Sequence, residues 1–168
     1  HRIYQDIRND LSGDEIPTEI YWETLNQFWQ EQANLDVGIY LIPSAYKSFA
    51  LCVSSEGIDV IWLDFSNSEL DLILLGSSDH PEKGFLGAVM GFFDVAEGLE
   101  RTIPWCCEYI AQPIAEYLLV HDFHRIVIIP TGNLGLLPIH ATSPRVDGQV
   151  HDWINLFVTS YAPSLYAL

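Results

Sequence analysis

The sequence predicts an α/β fold: a core of parallel strands, an antiparallel meander ahead of it, and a leading helix. Three observations point there. Short β-branched and aromatic runs separated by brief connectors fill the region after Val37. A helical stripe recurs through Ile103, Cys106, Cys107, Ile110, Ile114, Tyr117 and Leu118. Beyond it, Arg125–Ile129 is continuously apolar after its first residue, as in a strand covered on both faces of a parallel sheet.

The elements follow in order. Ser12 and Glu15 have capping-box spacing, and Tyr21, Leu25, Phe28 and Trp29 share one helical face. This gives an N-terminal linker helix within residues 1–36, whose aromatic side needs cover from the following sheet or from a helical region upstream. Residues 37–168 form the second unit. Gly38–Ile42, Ser48–Ser54 and Ile58–Asp64 read as a three-stranded meander, because connections as short as Pro43–Lys47 and Glu56-Gly57 favour antiparallel neighbours. Ser66–Glu69 opens a short helix, Leu70–Leu75, which Gly76 stops. Phe85–Arg101 has the apolar content of a helix, but its glycines oppose one by about 1 kcal/mol each. The next helix is expected to be capped by Thr102, to carry Pro104 in its first turn and to bend at Pro113. After Arg125–Ile129, the chain turns at Pro130–Asn133 and runs through Leu134–Ala141. Ile154–Ser160 is the last strand, and Tyr161–Ser164 leads into a helix.

Composition excludes several functions. The chain has 168 residues, 49% of them hydrophobic, and a chain this apolar can offset its ordering entropy by burial. Seven basic against 23 acidic residues give a net charge of −16, with no Lys/Arg cluster for phosphates or an anionic membrane. No apolar run reaches the ~20 residues of a transmembrane helix, and from the polar start at His1-Arg2 no signal peptide is expected. Three cysteines, two adjacent, are no disulfide framework, so a cytoplasmic location is expected. The only methionine is Met90, and the sequence closes on the apolar Pro163–Leu168. It therefore reads as a segment of a longer protein, expected to be unstable, self-associated or dye-binding when isolated because a sheet edge and an apolar helix face would be left open.

The chemistry-bearing residues do not compose a site. Thr131-Gly132-Asn133-Leu134-Gly135 follows a strand but lacks phosphate-loop spacing, so a plain turn is expected. His121, Asp122 and His124, with Asp79 and His80 elsewhere, lack zinc-type spacing; no metal and no cofactor are expected. A nucleophilic pair of Cys52, Cys106 or Cys107 with His140 is the remaining option. All three thiols fall on strand or helix core positions, where they are inert, and His140 sits among apolar residues as a packed or turn-anchoring imidazole. No catalytic residue is assigned.

Trp105, Pro113-Ile114, the run Arg125–Gly132 ending I-I-P-T-G, the run Leu134–Ala141 containing L-P-I-H-A, and Val158–Leu165 containing S-Y-A-P-S-L occur in that order. In these features the stretch from Trp105 onward resembles the CHAT domain, the caspase-like module attached to tetratricopeptide repeats; the match is looser over Val37–Leu75. The resemblance implies a caspase-like cysteine endopeptidase fold whose His–Cys dyad belongs to two strand ends after the S-Y-x-P-S-L helix, beyond residue 168. His140 matches a scaffold histidine of that pattern. The expected function is thus the scaffold half of a caspase-like CHAT cysteine endopeptidase module; the alternative is an inactive caspase-like interaction domain. Expected partners are a protein substrate or regulatory protein and the helical repeats of the same parent chain, with no nucleic acid and no membrane.

Overall fold

The computed structural model describes residues 35–77, 79–80, 84–91 and 94–163. The leading helix expected around Ser12–Trp29 and the helix expected after Ser164 lie outside these residues.

The meander forms as expected: β1 (Val37–Ile42), β2 (Ser48–Ser54) and β3 (Ile58–Leu63) are joined by antiparallel pairing. The β2–β3 turn closes with Ser54 and Gly57 exchanging backbone bonds of 2.9 and 3.4 Å. Gly57 takes φ +151°, a conformation that a side chain would disfavour. Helix α1 (Asn67–Leu75) starts on a reciprocal capping box between Ser66 and Glu69 and stops at Gly76, as its local chemistry dictates.

The ambiguous Phe85–Arg101 resolves into two helices, α2 (Phe85–Val89) and the start of α3 (Val95–Cys106). This corrects the expected cap. Asp94 caps α3, accepting the Ala96 N–H at 2.8 Å, whereas Thr102 lies buried in the third turn and its Oγ1 donates back to the Gly98 carbonyl at 2.8 Å. Pro104 is accordingly inside the helix, not in its first turn. Gly98 permits the close approach of α2, since a Cβ there would sit 2.6 Å from the Ala88 Cβ. The helix continues through a π-turn (Cys107–Ala111) into α4 (Gln112–Val120), which carries Pro113 in its first turn. The wide turn therefore ends two residues before the proline, which has no N–H to give the preceding turn.

Strand β4 (Arg125–Pro130) pairs parallel with β1. Single 3₁₀ turns follow at Gly132–Leu136 and Ile139–Ala141, then a small hairpin of β5 (Arg145–Val146) and β6 (Gln149–Val150). The last strand is shorter and later than expected. Trp153–Leu156 winds into a helical turn, α5, and β7 spans Val158–Tyr161. Trp153 holds this arrangement: it is fully buried, rests on Phe157, and donates its indole N–H to Thr159 Oγ1 at 2.8 Å.

The result is a mixed α/β architecture around a five-stranded sheet of order β3-β2-β1-β4-β7. Strand β7 lies directly beside β4, in parallel, with register Arg125↔Val158 to Ile128↔Tyr161. One face of the sheet, carrying Val37, Ile39, Leu41, Ala50, Cys52, Ile126 and Ile128, joins Ile110, Ile114 and Leu118 in a single core. Asp36 staples the start of β1 to that of β4: its Oδ2 accepts the N–H groups of His124 and Arg125 at 2.7 Å each, and its own N–H donates to the Arg125 carbonyl.

Candidate functional site

Strands β1, β4 and β7 run parallel, so their carboxyl ends share one side of the sheet. The chain leaves β1 towards β2 and β3 on one flank and returns to β4 on the other, so the strand order reverses between β1 and β4. In open α/β sheets, ligands bind outside the carboxyl ends at such a reversal.

Directly at the reversal the chain is closed on itself. Thr131 donates both its N–H and its Oγ1–H to the Leu41 carbonyl, at 3.0 and 2.8 Å. Gly132 takes φ +57° and starts the 3₁₀ turn, and the Leu134 N–H is spent on the Thr131 carbonyl. Asn133 leans on Asp71, whose carboxylate opposes any anion there. The Thr131–Gly135 segment is thus a turn, and its backbone does not cradle a phosphate.

One strand further, the side chains open outward. His140, exposed on the Ile139–Ala141 turn, places Nδ1 3.1 Å from the Tyr161 hydroxyl at the end of β7, the two rings meeting edge to face at 5.7 Å. Burial raises the Tyr161 phenol above its ordinary range. A hydrogen bond with the His140 main chain pulls it down, and the neighbouring Cys106 thiol pushes it up again. The phenol therefore stays protonated and able to donate. The sequence places this tyrosine in the S-Y-x-P run; only the pairing of β7 with β4 brings it to His140, 21 residues away.

The thiols do not join this pair as nucleophiles. Cys52 and Cys106 are buried, and burial pushes each thiol to about 12, with Asp59 adding to the effect on Cys52 and Cys107 to that on Cys106. Cys107 is half-buried, a departure from the expected core position, because it directly follows the fully buried Cys106 and the helix turns its side chain about 100° away. None of the three makes a hydrogen bond to His140, whose Nδ1 faces Tyr161 instead.

His121 and His124 are turned to separate tasks. His121 directs Nδ1 to the Tyr117 carbonyl at 2.9 Å, stacks on Phe123 and packs tilted against Tyr117, whose ring also meets Phe123. His124 directs Nε2 to Asp122 at 3.1 Å and Nδ1 to the Leu156 carbonyl at 3.3 Å. Tyr117 donates to Asp59 Oδ2 at 2.9 Å and, desolvated and beside that carboxylate, holds its proton well above the ordinary range. Among the described residues, no group of three or more His, Cys, Asp or Glu is placed to hold a metal ion, and no helix is long and apolar enough to cross a membrane. In comparisons with known proteins, no family model, no curated protein and no solved structure matches this chain.

Proposed function

We propose that this chain is the scaffold half of a caspase-like CHAT cysteine endopeptidase module, cytoplasmic, joined in its parent protein to helical repeats of the tetratricopeptide type. The thiol–imidazole dyad is supplied by a segment outside these 168 residues, and its substrate or regulator is a protein. The observation that supports this reading is the direct parallel pairing of β4 with β7. It sets the strand ending I-I-P-T-G beside the strand of the S-Y-A-P run, with the L-P-I-H-A turn between them in sequence. A dyad on strand ends needs such a rigid parallel platform, because a thiolate attacks only when imidazole and sulfur are held in hydrogen-bond reach.

The test is covalent labelling of the intact parent protein with a peptidyl acyloxymethyl ketone, followed by peptide mapping. The reading expects one labelled cysteine outside residues 1–168, with labelling unchanged when Cys52, Cys106 and Cys107 are all replaced by alanine. Labelling of Cys106 or Cys107 would overturn the scaffold assignment. No labelling of any cysteine, in a parent that also lacks a His–Cys pair downstream, would favour the alternative, a caspase-like interaction domain without peptidase activity.

A further inference from the structure

The outer edge of β3 carries an inference independent of any peptidase dyad. Ser54 and Gly57 exchange both backbone bonds, and the β2–β3 register continues that pairing through Cys52↔Asp59 and Ala50↔Ile61. Bonded and non-bonded pairs alternate along an antiparallel ladder. Asp59 and Ile61 therefore spend their N–H and C=O groups on β2, whereas those of Ile58, Val60 and Trp62 point away from it. β3 ends the sheet order, so among the described residues no further strand takes these groups. The side chains of the same three residues share the face opposite Asp59, with Val60 48% and Trp62 55% exposed and Trp62 edge to face on Phe49 at 5.7 Å. The register is unbroken and the strand holds no proline, so neither device blunts this edge.

Carboxylates decide what fits it. Glu56 lies in the turn before β3, Asp59 within it and Asp64 just after it, all three exposed. The Tyr117 hydroxyl fixes Asp59 there at 2.9 Å, and Lys47 pairs with Asp64 at 3.2 Å. A second copy paired antiparallel about Val60 would satisfy the same backbone groups. It would also set Glu56 opposite Asp64 of the other copy and join two chains of charge −16. We propose that this edge receives an extended segment of another protein, alternately apolar and basic, as a sixth strand of the five-stranded sheet. Its main chain takes up the N–H and C=O groups of Ile58, Val60 and Trp62. Its apolar side chains lie beside those three residues, and its Lys or Arg side chains fall on the opposite face, beside Asp59.

The test uses the intact parent protein and a fluorescein-labelled peptide of about nine residues alternating lysine and valine. Anisotropy is read in about 0.15 M salt, which screens long-range attraction. A block peptide of the same composition and a glutamate-for-lysine peptide should each bind about tenfold or more weakly. N-methylation of every second amide, at the valines in one peptide and at the lysines in another, should weaken one of the two by a similar factor, because only one set faces β3. Val60→Pro should do the same, since it removes an N–H that points away from β2 and leaves the ladder intact. Hydrogen exchange at single-residue resolution should find the Ile58, Val60 and Trp62 amides fast and those of Asp59 and Ile61 slow. Added peptide should slow the first three. Undiminished binding of the block peptide, of the glutamate peptide or of both N-methylated peptides would overturn the proposal. So would slow exchange of those three amides without peptide, whether an internal segment or a second copy covers them. If Val60→Pro fails to fold, the methylated peptides and the exchange pattern decide.

Discussion

Alkylation tests the burial of Cys106 most directly. The thiolate is the reacting species, and an ordinary thiol at 9.0 is roughly one-tenth ionised at pH 8. At about 12, where burial places Cys106, the ionised fraction is lower by about a thousandfold, one factor of ten for each pH unit. The same holds for Cys52. Iodoacetamide at pH 8 should therefore modify both at about one-thousandth of the denatured rate, or slower where opening of the core limits access. Half-buried Cys107 should be modified first. The assay is timed quenching with mass spectrometry of the three cysteine peptides, native against urea-unfolded. Native modification of Cys106 within about tenfold of its unfolded rate would refute the core assignment and restore it as a candidate nucleophile. The same shift has a thermodynamic face. The folded state keeps thiol protons that the unfolded chain releases, so stability is full below pH 9 and is lost as pH rises towards about 12. Three pH units at about 1.4 kcal/mol each give on the order of 4 kcal/mol per thiol. The urea midpoint should fall steeply above pH 9, less so in Cys106→Ala.

Three substitutions test the frame. Asp36→Ala leaves the His124 and Arg125 N–H groups without their carboxylate and should cost about 2–3 kcal/mol, discounted for its partial exposure. At about 2–4 °C per kcal/mol that lowers the melting temperature by roughly 5–10 °C, and a loss below about 0.5 kcal/mol would dismiss the staple. Ser66→Ala removes the capping box of α1 and should cost about 1 kcal/mol in urea denaturation. Gly84→Ala would drive a Cβ to 2.3 Å from the Leu75 carbonyl carbon, a backbone clash worth about 1–3 kcal/mol, and calorimetry showing an unchanged melt would contradict the packing there.

Local chemistry made part of the fold legible. The meander, the Ser66–Glu69 capping box and the Gly76 stop are each decided by residues within a few positions of one another, so their spacing alone locates them. Thr102 misleads because a threonine two residues before a proline imitates a helix start. In the folded chain its hydroxyl finds the carbonyl four residues back and the helix runs through it. Ile154-Asn155-Leu156 reads as strand by composition, yet burial of Trp153 winds it into a turn, a tertiary effect with no local signal. The site was least legible. His140 looked like a packed or turn-anchoring imidazole, but it is exposed, and its partner is set by strand pairing rather than by sequence distance.

The wide turn at Cys107–Ala111 settles a matter of winding. Thr102, Cys106, Ile110, Ile114 and Leu118 are all buried and lie four apart. On an ideal α-helix each step of four overshoots a full turn by about 40°, so the row would drift about 160° around the axis and end facing away from the sheet. One residue taken up in the wide turn restores about 100° of that and keeps the far end of the helix aligned with the near end. The strict spacing of four is therefore the imprint of the irregularity, readable in the sequence once its meaning is known. It also makes the length of this segment a tuning device. Removing one residue from Cys107–Ala111 would leave a regular helix with Ile114 and Leu118 still facing the core, whereas one further residue that the turn did not take up would swing them about 100° away.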